Sequence, residues 1–459
     1  MPTRPLSALH QPPVQRPPRA TGQDIVIDDP KAAVAAGTRV TWYRNRGALS
    51  NPDHRFSRTQ RVPLDESIDI GDTQVEARLV THQQAETAKS IINYNNSPDV
   101  GFSSSINPYR GCEHGCVYCF ARPSHEYLDL SCGLDFETQL SYKQNAVELL
   151  KKEWSRPGYQ AQTIALGINT DAYQPMEQEK MITRELLELF LEYKHPVSLL
   201  TKSTLVLRDL DILQDLAKNN LVSVAVSMTS LDDQVKRTLE PRAASAKARL
   251  KTLDILSQHQ IPTGVMVAPV IPIVTDSELE AILKAAYDAG ARRAGYVLLR
   301  LPHQVKQLFR EWLSVHYPFS AKHVMNIIQE SFDGKDYQAE FGTRMTGKGV
   351  FAQAIAERFR LTTKRLGYEK LGRSTLATHL FTTSHQTVRD KNKPASAVTK
   401  AAHCDVSFTD LEVKSDLSFE PARKSHRSDQ QMQSVKSNSG QKETAASGES
   451  DQLQQLALF

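Results

Sequence analysis

Cys112, Cys116 and Cys119 stand together in the stretch GCEHGCVYCF, in a chain of 459 residues with only five cysteines. Their spacing, C-x3-C-x2-C, lets three thiolates converge on one inorganic centre. A structural zinc site normally takes four protein ligands, and the fourth here would have to be His114 or Cys132. On a four-iron cluster, three thiolates leave one iron open to a substrate or cofactor. The spacing therefore points to a 4Fe-4S cluster with an open site. A zinc knuckle and unligated buried thiols are the alternatives.

The elements that must position this triad are legible as a repeated pattern of a short β-branched or apolar run followed by a longer amphipathic one. Candidate strands cover 103–107, 163–168, 197–201, 222–228, 263–268 and 294–299; helical stretches cover 136–154, 183–193, 209–218, 244–259 and 276–289. Such alternation implies an α/β fold with a parallel sheet and helical crossovers. The triad follows the first strand. Composition divides the chain into a disordered Pro- and Arg-rich start (1–23), an N-terminal extension (24–99), the alternating region (100–315), a helical extension (316–382) with helices over 321–329 and 351–359, and a disordered polar tail (383–459).

The aromatic Tyr118 precedes the last cysteine of the triad, and βα alternation follows it. The combination resembles the radical S-adenosylmethionine (SAM) superfamily over roughly 103–301. NTDAYQPME from Asn169, LLTKSTLVLRDLDIL from Leu199, EPRAASAKARL from Glu240 and VAPVIPIVTD from Val267 resemble the branch related to spore photoproduct lyase, often labelled DNA-repair-photolyase-like. The resemblance implies a partial (β/α)6 TIM-type barrel, with a 4Fe-4S cluster and SAM at the C-terminal ends of the strands. It implies that Cys112, Cys116 and Cys119 ligate the cluster, and that Tyr118 lies beside the adenine. SAM would chelate the open iron, and its reductive cleavage would give a 5′-deoxyadenosyl radical, with an electron donor such as flavodoxin or ferredoxin. By their place at strand ends Thr170, Asp171, Lys202, Ser227 and Val267 become candidate cofactor contacts. The lyase branch also implies a further cysteine as hydrogen donor. Of the remaining two, Cys404 lies in the tail, and Cys132, in the loop that carries the triad, is the weak catalytic candidate.

Net charge is +4, a slight bias toward an anionic partner. RNRGALSNPDHRF, with Arg44, Arg46 and Arg55, reads with Arg58 as an exposed basic segment, and FGTRMTGKG, with Arg344 and Lys348, as a Gly-rich basic turn. Either could meet phosphates, although the second lacks Walker spacing. No run is long and apolar enough for a bilayer and no h-region opens the chain, so a cytoplasmic, reducing compartment is expected, where clustered cysteines bind metal. The chain closes on QLALF, whose Gln455, Leu456, Leu458 and Phe459 look like the motif by which bacterial repair proteins grip the DNA sliding clamp. The leading expectation is a radical SAM enzyme acting on nucleic acid, DNA before RNA. A radical SAM modification of RNA or of a protein side chain, and a non-catalytic zinc or Fe-S module, are the alternatives.

Overall fold

A computed structural model describes residues 45–56, 79–369 and 376–383. The expectations for 1–23, for the tail with Gln455, Leu456, Leu458 and Phe459, and for Arg44, Arg58 and Cys404 lie outside the described residues. In chain order the strands are β1 (His82–Glu86), β2 (Ile92–Tyr94), β3 (Ser104–Ile106), β4 (Tyr109–Arg110), β5 (Gln139–Lys143), β6 (Ile164–Leu166), β7 (Val197–Thr201), β8 (Val222–Met228), β9 (Thr263–Val270) and β10 (Arg293–Leu298). A seven-stranded sheet has the order β10-β9-β8-β7-β6-β3-β2, and a three-stranded one the order β1-β5-β4.

From β3 to β10 every neighbouring pair in the large sheet is parallel, and spatial order equals chain order. Each step is made by a crossover helix: Ala146–Trp154, Ile182–Glu192, Leu210–Lys218, Ala246–Gln258 and Leu279–Asp288. Their apolar faces, with Leu150, Leu186, Phe190, Leu213, Leu216, Leu253 and Ile282, are fully buried against strands rich in Val, Ile and Leu. Burial on both faces explains why those strands are continuous apolar runs. All six expected strands and four of the five helical stretches are in place. The fifth, 136–154, is interrupted by β5, where Leu140, Ser141 and Lys143 turn inward and pair with β1 and β4.

The two edges of the large sheet, β10 and β2, do not pair with each other. A strap from the C-terminal extension spans the space between them. Leu298 N–H donates to the Met345 carbonyl (2.9 Å). Next to it Arg344 reaches the loop between β2 and β3, meeting Asp99 at 2.6 Å and Ser97 Oγ at 2.7 Å, all buried. The basic turn thus holds a buried, ion-paired arginine, neither solvated nor facing a phosphate. The helices Ala321–Ser331 and Gly349–Leu366 follow the same extension. Just before β7, His195 is enclosed by aromatic rings, stacked on Trp154 at 4.5 Å and accepting the Tyr159 hydroxyl at 2.9 Å. Among the described residues no helix is long and apolar enough to cross a membrane.

Candidate cluster and cofactor site

The cysteine loop leaves the C-terminal end of β3 through β4 and folds as a run of tight turns. Gly115 N–H bonds the Cys112 carbonyl (3.4 Å), Cys119 N–H that of Cys116 (3.2 Å) and Arg122 N–H that of Cys119 (3.2 Å). Cys112 and Cys116 are buried, Cys119 is partly exposed, and all three are free thiols. Gly115 has φ +66°, and a Cβ there would come within 2.8 Å of Glu137 Oε2, so only glycine lets the loop approach that carboxylate.

Three supports hold the loop from outside. Gln174 brackets it, accepting Glu113 N–H at 3.0 Å and donating to the Gly111 carbonyl at 3.1 Å. The end of the helix Asp233–Leu239 and the turn that follows it clamp the loop through Val117 N–H to the Leu239 carbonyl (3.0 Å) and Arg242 N–H to the His114 carbonyl (3.3 Å). The third is the N-terminal segment, which corrects the expectation of an exposed basic stretch in part: Arg46 to Leu49 are buried, whereas Arg55 is exposed. Arg46 donates to the Glu137 and Leu79 carbonyls, both at 2.9 Å. Gly47 N–H and Ala48 N–H donate to the Glu137 carboxylate at 3.1 and 2.8 Å. A Cβ on Gly47 would run into the Gly115 carbonyl. Glu137 also pairs at 2.5 Å with Arg122, and both side chains are fully buried. Arg122 in turn donates to the carbonyls of Cys116 (2.9 Å), Cys132 (3.0 Å) and Gly133 (2.8 Å).

Among the described residues no three His, Cys, Asp or Glu side chains converge where one metal ion could sit. Three thiols on one loop suit a cluster that takes each on a different iron. Burial pushes each thiol above its ordinary value, Cys116 to about 12. Thiolates here therefore need the positive charge of a metal centre to form. The donor set fits the cluster.

The strand-end residues separate into two groups. Thr170 Oγ1 donates to the Tyr109 carbonyl (2.9 Å), and the Asp171 carboxylate accepts Thr201 Oγ1 (2.8 Å), Lys202 N–H (2.7 Å) and Tyr173 N–H (2.9 Å) and meets His114 Nδ1 (3.3 Å). Both brace neighbouring loops. Tyr118, Lys202 and Ser227 form the other group. Lys202 Nζ donates to Ser227 Oγ (2.7 Å) and lies 5.9 Å from the Tyr118 ring centroid. The Tyr118 hydroxyl donates to the carboxylate of Glu240 and lies 3.0 Å from Thr229 Oγ1. Val267 is buried within β9. Cys132 is fully buried in one apolar cluster with Ala48 and Leu134, its thiol pushed up to about 12 by burial and by Glu126, the setting of a packed thiol. Glu137 and Arg122 carry no sequence signal, whereas Glu240 opens one of the segments that carry the family resemblance.

Residues 106–286 match the family model of the Radical SAM superfamily. These residues form a radical SAM domain. The cofactors of that class are a 4Fe-4S cluster and SAM. Uncharacterized proteins of Mycobacterium tuberculosis and Mycobacterium bovis are 38% identical over 225 residues, which cover 49% of this chain and 66% of each of theirs. An uncharacterized protein of Methanocaldococcus jannaschii is 27% identical over 242 residues, covering 52% of this chain and 85% of that one. The chain thus spans 66% of the length of the mycobacterial relatives. A solved structure of a spore photoproduct lyase mutant aligns at a TM-score of 0.46 and 13% identity, covering 62% of this chain and 80% of that one.

Proposed function

We propose that the protein is a radical SAM enzyme acting on nucleic acid, DNA before RNA, in the repair or processing of a lesion. The observation that carries the enzymatic part is the juxtaposition of a three-thiol loop with Tyr118, Lys202 and Ser227 at the C-terminal ends of parallel strands, where the chemistry of such folds sits. When bound, the reduced cluster and SAM supply a 5′-deoxyadenosyl radical for hydrogen abstraction. The chain's own share is positioning and exclusion of water. Cys112, Cys116 and Cys119 hold three irons, the Tyr118 ring offers a face to adenine, and Lys202 with Ser227 offers donors to a carboxylate. Nucleic acid as substrate is supported by the likeness of four segments to the spore photoproduct lyase branch, and DNA by the QLALF sequence at 455–459. In this reading the chain works in the cytoplasm, on DNA held by a sliding clamp, with a flavodoxin or ferredoxin as reductant.

Anaerobic reconstitution tests the reading. About four irons and four sulfides per chain and SAM cleavage after reduction are expected, and a colourless protein with stoichiometric zinc would overturn it. Crosslinking of the reduced enzyme to cellular nucleic acid decides DNA against RNA. A peptide of the last twelve residues titrated onto purified clamp tests the partner, with micromolar binding expected; no heat up to millimolar concentration would remove the clamp.

A further inference from the structure

Glu240 lies among the groups proposed to hold SAM, on the turn that clamps the cysteine loop, and is almost fully buried. Its carboxylate accepts the Tyr118 hydroxyl, the Arg249 guanidinium and Thr229 Oγ1, the last at 2.6 Å, and Lys202 Nζ stands 3.8 Å away. Arg249, from the helix Ala246–Gln258, is itself fixed by the carbonyls of Ser227 (2.8 Å) and Ala244 (2.9 Å). Burial alone would raise the Glu240 carboxyl, but the Arg249 and Lys202 cations outweigh it and hold the group at about 2. The carboxylate is therefore charged at any working pH.

Arg249 would suffice to neutralise Glu240. The contacts beyond that pair go to Tyr118, from the cysteine loop, and to Lys202, from the end of β7. One carboxylate thus fixes two groups that the chain brings from separate elements. Two cations, Arg249 and Lys202, lie within ion-pair distance of this one anion, which suits a ligand that carries a carboxylate.

We propose that Glu240 is a positioning residue of the cofactor pocket, holding the Tyr118 ring and the Lys202 ammonium in fixed relation so that a ligand with an adenine and an amino-acid carboxylate meets both at once. This rests on the assignment of Tyr118 and Lys202 to SAM. The chemistry recognised is that of SAM and its analogues; Glu240 acts on it through its neighbours.

The test uses the full chain with reconstituted cluster and measures the SAM dissociation constant by equilibrium dialysis for the wild type, Glu240→Gln, Tyr118→Phe and the double variant. Glu240→Gln keeps the shape and removes the charge. About tenfold weaker SAM binding is expected, the worth of a charge-assisted hydrogen bond, with iron and sulfide content unchanged. The double variant is expected to be no weaker than Glu240→Gln alone, a non-additivity that a residue serving only the fold would not show. Unchanged affinity in Glu240→Gln, or strictly additive losses, overturns the proposal while SAM binding by the wild type keeps the enzymatic reading. A loaded wild type that binds no SAM overturns both. Should Glu240→Gln lose its cluster, Thr229→Val decides: about fivefold weaker binding supports the proposal, and wild-type affinity overturns it.

Discussion

Replacing Glu137 by Ala removes the one group that joins the N-terminal segment, the cysteine loop and Arg122. Two buried amides, Gly47 N–H and Ala48 N–H, lose their acceptor, at about 1–3 kcal/mol each for an unsatisfied buried donor. Arg122, fully buried, loses its carboxylate, and breaking a buried pair by removing one partner costs about 3–5 kcal/mol. These costs overlap, because Arg122 can turn toward the carbonyls it already holds. A loss on the order of 5 kcal/mol remains, a large part of the roughly 5–15 kcal/mol that holds a domain together. Since Arg122 also grips the Cys116 carbonyl, the damage reaches the cluster ligands. Glu137→Gln keeps a carbonyl for one amide but lacks the charge facing Arg122, and about 3 kcal/mol is expected. Urea unfolding of the metal-free chain gives the stability, and iron per chain after reconstitution gives the functional readout. Glu137→Ala within about 1 kcal/mol of wild type and with full iron would refute the reasoning.

Cys112→Ala, Cys116→Ala and Cys119→Ala are each expected to lose the cluster, because no neighbouring thiolate can replace the missing one; iron and sulfide analysis of each reconstituted variant checks it. Arg344→Ala leaves Asp99 buried without its guanidinium, so the strap is expected to loosen by about 3–5 kcal/mol, seen as faster amide exchange at Leu298 and as proteolysis within 337–348. His195, held by burial at about 3 against an ordinary 6.5, stays neutral in the fold while the unfolded chain takes up a proton below 6.5. Its contribution to stability is therefore lost as pH falls from 6.5 toward 3, about 2 kcal/mol by pH 5. Urea midpoints at pH 7 and 5 should show that loss in the wild type, with a clearly smaller one in His195→Gln.

The sheet was legible because its strands are buried on both faces and read as apolar runs such as VSVAVSM. β5 was not, because in QLSYK the residues facing inward also fit a helical period and the amphipathic run continues into Ala146–Trp154. The cysteine triad announces itself through spacing within eight residues. Its supports do not: Arg46 and Glu137 stand 91 positions apart, and a basic segment without apolar period looks solvated until its acidic partner is placed. Lys202 and Ser227 followed from their places at strand ends, yet the carboxylate that joins Lys202 to Tyr118 sits on a turn, where no periodicity marks it.

The strap has a consequence for where the fold can be cut. A parallel sheet that stops at β10 presents a row of backbone N–H and C=O groups that any other strand could join. Here the row is engaged near both ends, by the Met345 carbonyl at Leu298 and by Glu369, whose N–H bonds the Arg292 carbonyl at 2.8 Å and which bridges Arg293 in parallel. The opposite edge is the three-residue β2, too short to be a useful template. Residues 337–369 therefore keep the molecule from adding strands to itself. A chain trimmed at 315, where the composition changes, would carry every cluster ligand and still be expected to aggregate through β10.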